Sequence, residues 1–364
     1  MRRVQIDEFI KQCGQGLLLD VRSPGEYNHA HLPGAISFPL FTDEERKVVG
    51  TTYKQISREA AIKIGLDYFG PKMRSMVEEV EKLTVDRWPL AEGPSTNYQP
   101  STVKLYLYCW RGGMRSGAVA WLLNLYGFNV TVLAGGYKAF RNWVIKTNAH
   151  PHPLQILGGY TGSGKTELLN VLQQSGEAVI DLEAIANHKG SAFGNIGMPA
   201  QPTQEMFENL LALQLARHAV AQKPIWVEDE SQRIGQINLP SAFWQNMRRS
   251  PVYFLEIPFE ERLKHILAEY GQLDKEKMIG AIQRIAKRLG PLETKTAIQF
   301  LEEGNLPESF RLLLHYYDKR YLKGLHNREN VSQLLTKISC EKVAVGNAVL
   351  VSQAQQASNY AGIL

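Results

Sequence analysis

Short apolar runs followed by amphipathic segments recur along most of the chain. In the first half, residues 16–21 and 105–108 read as buried strands. In the second half, residues 154–157, 178–182, 225–227 and 252–257 do the same. Strands alternating with helical segments predict α/β layers with a parallel sheet in each half. Two prolines, Pro151 and Pro153, end the helix-like stretch 136–146 and stiffen the link between the halves. Beyond Pro258 the pattern turns helical. Met278, Ile279, Ile282, Ile285, Ala286 and Leu289 form one apolar stripe, which Gly290 and Pro291 close. The predicted organisation is an α/β domain over 1–147 with an insert at about 41–102, and a second α/β domain over 148–258. A helical extension then spans 259–342. Residues 343–364 are uncharged and rich in Gln, Ala and Ser, which predicts a loose tail.

Composition narrows the class without naming it. Of 364 residues, 44% are hydrophobic and 21% charged, which excludes a disordered, collagenous or coiled-coil chain. The net charge of +5 hides an uneven distribution. Residues 1–150 carry 19 basic and 14 acidic groups, 151–255 carry 7 and 9, and 256–364 carry 15 and 13. Such mild basicity permits a nucleic-acid partner and does not require one. Cys13, Cys109 and Cys340 lie far apart, so neither a disulfide framework nor a cysteine zinc site is expected. His29/His31 and His150/His152 lack acids or cysteines at ligand spacing, so they predict no metal site. No apolar run approaches the ~18 residues of a membrane span, and no signal core follows the amino terminus. A reducing, cytoplasmic setting without membrane contact is expected.

The predicted strand 105–108 runs into Cys109-Trp110-Arg111-Gly112-Gly113-Met114-Arg115-Ser116, and a helix-like segment follows. A cysteine between a strand end and a helix start is placed for reactivity. Backbone N–H groups and the helix dipole favour its thiolate, and Arg111 and Arg115 add positive charge. A buried structural cysteine is the bland alternative, but two arginines and two glycines are odd decoration for a core turn.

The segment Gly159-Tyr160-Thr161-Gly162-Ser163-Gly164-Lys165-Thr166 follows strand 154–157 and opens a predicted helix. It fits the P-loop pattern. The glycines let successive N–H groups converge on one anion, Lys165 adds charge, and the Thr166 hydroxyl can reach a metal, so magnesium is a candidate there. Strand 225–227 ends in Glu228 and Asp229, as a Walker B strand would, which makes these acids candidates for positioning metal or water. Any diphosphate satisfies such a cradle, and no base-specificity motif selects ATP or GTP.

Arg284, Lys287 and Arg288 lie opposite the apolar stripe, and Arg311, His315 and Lys319 repeat the helical spacing with Tyr316, Tyr317 and Tyr321 interleaved. Arginine for phosphate and tyrosine for base stacking is how RNA is held, and an ordinary solvated face gives the same spacing.

Leu19-Asp20-Val21-Arg22-Ser23-Pro24-Gly25-Glu26-Tyr27, then His31-Leu32-Pro33-Gly34-Ala35-Ile36, resembles the signature of rhodanese-type sulfurtransferases, with Asp20, Arg22 and Glu26 as motif residues. Leu133-Ala134-Gly135-Gly136-Tyr137 resembles the end of the same domain. The resemblance implies that Cys109 carries a chalcogen as a persulfide or its selenium analogue. Six positions separate Cys109 from Arg115, one more than in the commonest rhodanese loop. The wider cradle predicts a phosphate-bearing donor held by Trp110, Gly112, Gly113, Met114 and Ser116. The insert, which contains Glu45-Arg46-Lys47 and Gly50-Thr51-Thr52-Tyr53-Lys54, reads equally as a solvated face or a site.

A rhodanese-like domain joined to a P-loop NTPase-like parallel-sheet domain with a helical C-terminal extension is a rare pairing. Together with Asp181-Leu182-Glu183, His188-Lys189-Gly190-Ser191 and Glu228-Asp229-Glu230-Ser231, it resembles the tRNA 2-selenouridine synthases over about residues 3–335. That resemblance implies replacement of sulfur by selenium in 2-thiouridine at the tRNA wobble position, with selenophosphate as donor. It also implies transfer of a geranyl group from geranyl diphosphate onto that sulfur. The implied partners are tRNA and the enzyme supplying selenophosphate, with no tightly bound cofactor. In chemical terms, S-alkylation makes a poor leaving group departable, the P-loop holds the leaving diphosphate, and Cys109 delivers selenium to C2 of the base. An ATP-dependent sulfurtransferase acting on RNA or a small molecule is the enzymatic alternative. A non-catalytic RNA-binding protein with relic sites is opposed by two intact loops in one chain.

Overall fold

The computed structural model describes residues 1–87, 99–220 and 223–361, in two compact units, Met1–Lys146 and Thr147–Leu364. The first unit is built on a parallel sheet of β1 (Arg2–Val4), β2 (Leu17–Asp20), β3 (Ile36–Ser37), β4 (Lys104–Tyr108) and β5 (Asn129–Leu133). Their order is β1-β5-β4-β2-β3. A parallel sheet is covered on both faces, so β2 and β4 read as largely apolar runs rather than alternating ones. Leu17, Leu19, Leu105 and Leu107 are fully buried and pack with Val119 and Leu123 of the helix Met114–Tyr126.

The insert forms the helices Asp43–Gln55, Arg58–Phe69 and Met73–Arg87. It is more than a solvated face. Phe41, Phe69, Val77 and Val80 join the core cluster of the sheet, and a capping box between Thr42 and Glu45 starts its first helix. Residues 88–98 of the insert lie outside the described residues.

The second unit centres on β6 (Leu154–Gly159), buried along its whole length, with β8 (Ile225–Glu228) beside it and β7 (Ala178–Val179) beyond β8. A short antiparallel hairpin of β9 (Arg233–Ile234) and β10 (Ile237–Asn238) stands apart from the main sheet. With β11 (Val252–Glu256) and β12 (Leu335–Ser339), the main sheet has the order β12-β11-β6-β8-β7 and is parallel throughout. Helices Phe259–Tyr270, Lys275–Leu289, Pro291–Glu302 and Leu306–His326 form the arm predicted beyond Pro258.

Two expectations change. The α/β domain does not end at residue 258, because β12 returns from the predicted helical extension to pair with β11 along the sheet edge. The segment Leu335-Thr336-Lys337-Ile338-Ser339 is short and partly β-branched, with Ile338 buried, which suits an edge strand. Nor is the uncharged tail loose. It forms a helix, Asn347–Ala361, whose Ala348 and Val351 are buried one turn apart in the cluster containing Leu168 and Leu172. Gln355 also donates to Gln155 on β6 at 2.9 Å. Lack of charge marks disorder only where no apolar stripe exists, and here the stripe is short but complete. Residues 362–364 lie outside the described residues. Among the described residues no helix is long and apolar enough to cross a membrane.

Candidate functional site

Cys109 follows the last residue of β4 and is buried. The Ser116 hydroxyl donates to its sulfur at 3.2 Å, and the N–H groups of Ser116 and Arg111 also face it. Burial alone would raise the thiol. The hydrogen bonds from Ser116 and Arg111 together with the Arg115 charge outweigh burial, and the thiol sits below its ordinary value. Arg115 acts here through its charge, because its guanidinium is bound to Glu26 at 2.6 Å. Arg111 contributes its N–H while its side chain stays exposed. Trp110 and Met114 of the same loop are 39% and 50% exposed, while the cysteine itself is buried.

The motif at residues 133–137 holds the back of this loop. Tyr137 N–H donates to the Cys109 carbonyl at 2.8 Å and Lys138 N–H to that of Trp110 at 3.0 Å. Gly136 has φ +59°, and a Cβ there would overlap the Cys109 carbonyl oxygen and the Gly112 nitrogen. Arg3 donates to the Gly112 carbonyl from the other side.

Asp20 and Arg22 are scaffold. Both are buried, with Arg22 Nη2 on Asp20 Oδ2 at 2.6 Å and on the Ala30 carbonyl at 2.7 Å. The Arg22 guanidinium lies 3.8 Å from the Tyr137 ring centre, and Tyr108 donates to Asp20 at 2.7 Å. Glu26 links this scaffold to the loop. It accepts from Arg115 and from Ser23 N–H, and Arg46 of the insert lies 3.5 Å away. Burial pushes the Glu26 carboxyl up, but these partners win and hold it below the usual range.

In the second unit, β6 delivers the P-loop. Gly159, Gly162 and Gly164 all have positive φ, and a Cβ at Gly162 would meet Ile266 at 2.8 Å and the Arg262 carbonyl at 2.9 Å. Lys165 Nζ donates to the Gly159 carbonyl at 3.1 Å, and the buried Ser163 hydroxyl to that of Tyr160 at 2.7 Å. The Thr166 hydroxyl faces Glu183 at 3.5 Å. Arg262 is buried, clamps the Thr161 carbonyl at 3.1 Å and forms a two-pronged pair with Asp318 at 2.9 and 2.8 Å. The loop opens into a cleft of about 1690 Å³, whose wall includes Ile266, Tyr270, Ile285 and Tyr316 besides the P-loop.

The predicted Walker B acids have other tasks. Asp229 accepts from Tyr321 at 2.6 Å and from the buried Arg328, so both its oxygens are taken. Tyr321 also accepts from Gly159 N–H at 3.2 Å. Glu228 accepts from Leu182 N–H at 3.0 Å, and its other oxygen has no donor. Burial, with Asp181 and Glu183 beside it, pushes the Glu228 carboxyl well up. Asp229 thus has both oxygens engaged, while one oxygen of Glu228 is without a donor. Among the described residues no three His, Cys, Asp or Glu side chains gather into a metal-holding group.

The structure sorts the basic face. Arg284 and Arg288 line the cleft, and Arg284 donates to the Ala192 carbonyl at 2.9 Å. Lys287 and Lys319 are exposed outside it, and Arg311 is ion-paired to Glu260 and Glu308. Tyr317 and Tyr321 line the cleft as well, with their hydroxyls bonded to Ala192 N–H and Asp229. Arg248, Arg249 and Arg320 also line the cleft, as do Glu183 and Glu230. The two acids stand in motifs legible in the sequence without a role attached. The three arginines carry no local signal.

Residues 5–142 match the model of the rhodanese-like domain. Residues 152–345 match the model of the tRNA 2-selenouridine synthase AAA domain, and this match covers more than half of the chain. The chain belongs to the tRNA 2-selenouridine synthase family. This is a family of enzymes. A tRNA 2-selenouridine synthase of Shewanella piezotolerans is 40% identical over 75% of this chain and 70% of its own. That of Nitrosomonas europaea is 32% identical over 85% and 89%, and that of Pseudomonas syringae pv. tomato is 34% identical over 84% and 87%. The family's two domains fall on the two compact units, one holding the Cys109 loop and the other the P-loop cleft.

Proposed function

We propose that this chain modifies tRNA, replacing sulfur with selenium in wobble 2-thiouridine by way of an S-geranylated intermediate. In this reading the P-loop cleft takes geranyl diphosphate. Lys165 and the loop N–H groups stabilise the diphosphate as it leaves, and Ile266, Tyr270, Ile285 and Tyr316 offer carbon surface to the prenyl chain. Arg248, Arg249, Arg288 and Arg320 offer charge to RNA phosphates at the same cleft. The Cys109 loop takes the selenium step, with selenophosphate as donor. One observation carries the reading. The cleft behind the P-loop has a volume of about 1690 Å³, room for a prenyl chain and a base beside a diphosphate. Nucleoside mass spectrometry of 2-thiouridine tRNA tests it, after incubation with the protein, geranyl diphosphate and selenophosphate. Selenouridine, with S-geranyl-2-thiouridine when selenophosphate is withheld, is the expected outcome. A strict requirement for ATP would favour a nucleotide-driven sulfurtransferase instead.

A further inference from the structure

2-Thiouridine carries a proton on N3. When its sulfur is alkylated, the S–C1 bond to the prenyl group forms and the C1–O bond of the diphosphate ester breaks. The electron pair of that C1–O bond leaves with the diphosphate. The C2–N3 bond becomes double, so the N3 proton must go to an acceptor. Lys165 is a poor acceptor, because its ammonium is committed to the P-loop.

Two carboxyls meet beside that ammonium. Glu183 stands in the short helix Leu182–Ala186 that follows β7 and Glu230 in the loop after β8, and both line the cleft. Their oxygens converge on Gly190, where a Cβ would lie 2.5 Å from Glu183 Oε1 and 2.9 Å from Glu230 Oε1. Gly190 has φ +64°, so the backbone there both demands and permits a glycine. Glu183 also stands 3.5 Å from Thr166, at the edge of the phosphate cradle. Its helix is fixed from behind. Asp181 caps the helix Leu182–Ala186 through Ala184 N–H at 2.7 Å, and Glu228 holds Leu182 N–H. Glu228 is 1% exposed, lines the same cleft and leaves one oxygen without a donor.

We propose that the Glu183–Glu230 pair is the general base of the alkylation step, taking the N3 proton of 2-thiouridine as its sulfur bonds to the prenyl carbon. This rests on the alkylation reading given under the proposed function. The groups facing the pair are Lys165 from the P-loop, Asp181, Asp229, Glu228, and Glu269 and Tyr270 from the helix Phe259–Tyr270. Lys165 is the cation that acts on both carboxyls, and Lys189, next to Gly190, is paired to Glu269. Burial raises both carboxyls against the pull of Lys165; the Glu183 charge adds to this at Glu230, and Asp181 and Glu269 add to it at Glu183, where the hydrogen bond with Glu230 works the other way.

The test uses the full-length protein, 2-thiouridine tRNA and geranyl diphosphate, without selenophosphate. Glu183→Gln and Glu230→Gln are near-isosteric and relieve carboxylate crowding, so thermal unfolding should show them folded. Each is expected to slow single-turnover S-geranylation on the order of 100-fold, leave geranyl diphosphate affinity within about threefold, and remove the pH limb of the wild-type rate. Glu230→Asp should restore part of the rate. If the wild-type protein geranylates and both variants keep its rate and pH profile, or lose only affinity, the assignment is wrong. If the wild-type protein forms no S-geranyl-2-thiouridine, the alkylation reading itself fails, and the assignment falls with it.

Discussion

The Ser116 hydroxyl donates to the sulfur of Cys109 across 3.2 Å, from the first turn of the helix that the cysteine loop opens. A hydroxyl that points at sulfur from a helix start favours the thiolate twice, through its own hydrogen bond and through the N–H groups behind it. Ser116→Ala should therefore raise the thiol, because it removes one hydrogen bond to the charged sulfur. The pH dependence of iodoacetamide alkylation at Cys109 measures this. An unmoved midpoint would show that Arg115 and the backbone suffice alone.

Glu26 ties the loop to its scaffold, and its carboxyl is held below the ordinary range in the folded state. A depressed carboxyl contributes stability above its unfolded value, roughly pH 4.3, and that contribution is lost as pH falls through the folded value. Glu26→Gln should lower the melting temperature at pH 7 and flatten its decline between neutral and acid pH. Parallel pH–melting curves for the two proteins would contradict this.

Gly136→Ala tests the back of the loop. The added Cβ would overlap the Cys109 carbonyl at a backbone angle unfavourable for alanine, so a loss of about 2 kcal/mol or more is expected in urea unfolding of the first unit. Iodoacetamide should also find Cys109 less selectively, because the displaced loop no longer aims its N–H groups at the sulfur.

Arg328 and Asp229 form a buried ion pair, with side chains 1% and 8% exposed. Arg328→Ala would leave a carboxylate with Tyr321 as its remaining partner, at a cost of about 3–5 kcal/mol. Since Tyr321 also meets Gly159 N–H, the P-loop should loosen as well. Equilibrium unfolding, with hydrogen exchange at residues 158–166, reads both effects.

Both chemical loops are legible in the sequence because each lies within eight consecutive residues, strand end to helix start, where spacing alone carries the chemistry. The parallel sheets are legible in the largely apolar runs of β2, β4 and β6. What escapes a reading of the sequence depends on contacts far apart along the chain. Asp229 reads as an open strand-end acid until Arg328, 99 residues on, closes over it. Nor does anything near Tyr321 in the sequence show that its hydroxyl reaches Asp229, 92 residues away. Arg248, Arg249 and Arg320 line the cleft through the packing of separate helices, a relation that no local window contains. The tail misleads because its uncharged composition masks the short stripe of Ala348 and Val351.

The most direct measurement is nucleoside mass spectrometry of 2-thiouridine tRNA treated with geranyl diphosphate and selenophosphate, comparing Cys109→Ala and Lys165→Ala with the unaltered protein. Cys109→Ala should accumulate S-geranyl-2-thiouridine without selenouridine, and Lys165→Ala should leave 2-thiouridine unmodified. Selenouridine formed by Cys109→Ala at the wild-type level would contradict the division of labour between the cysteine loop and the P-loop.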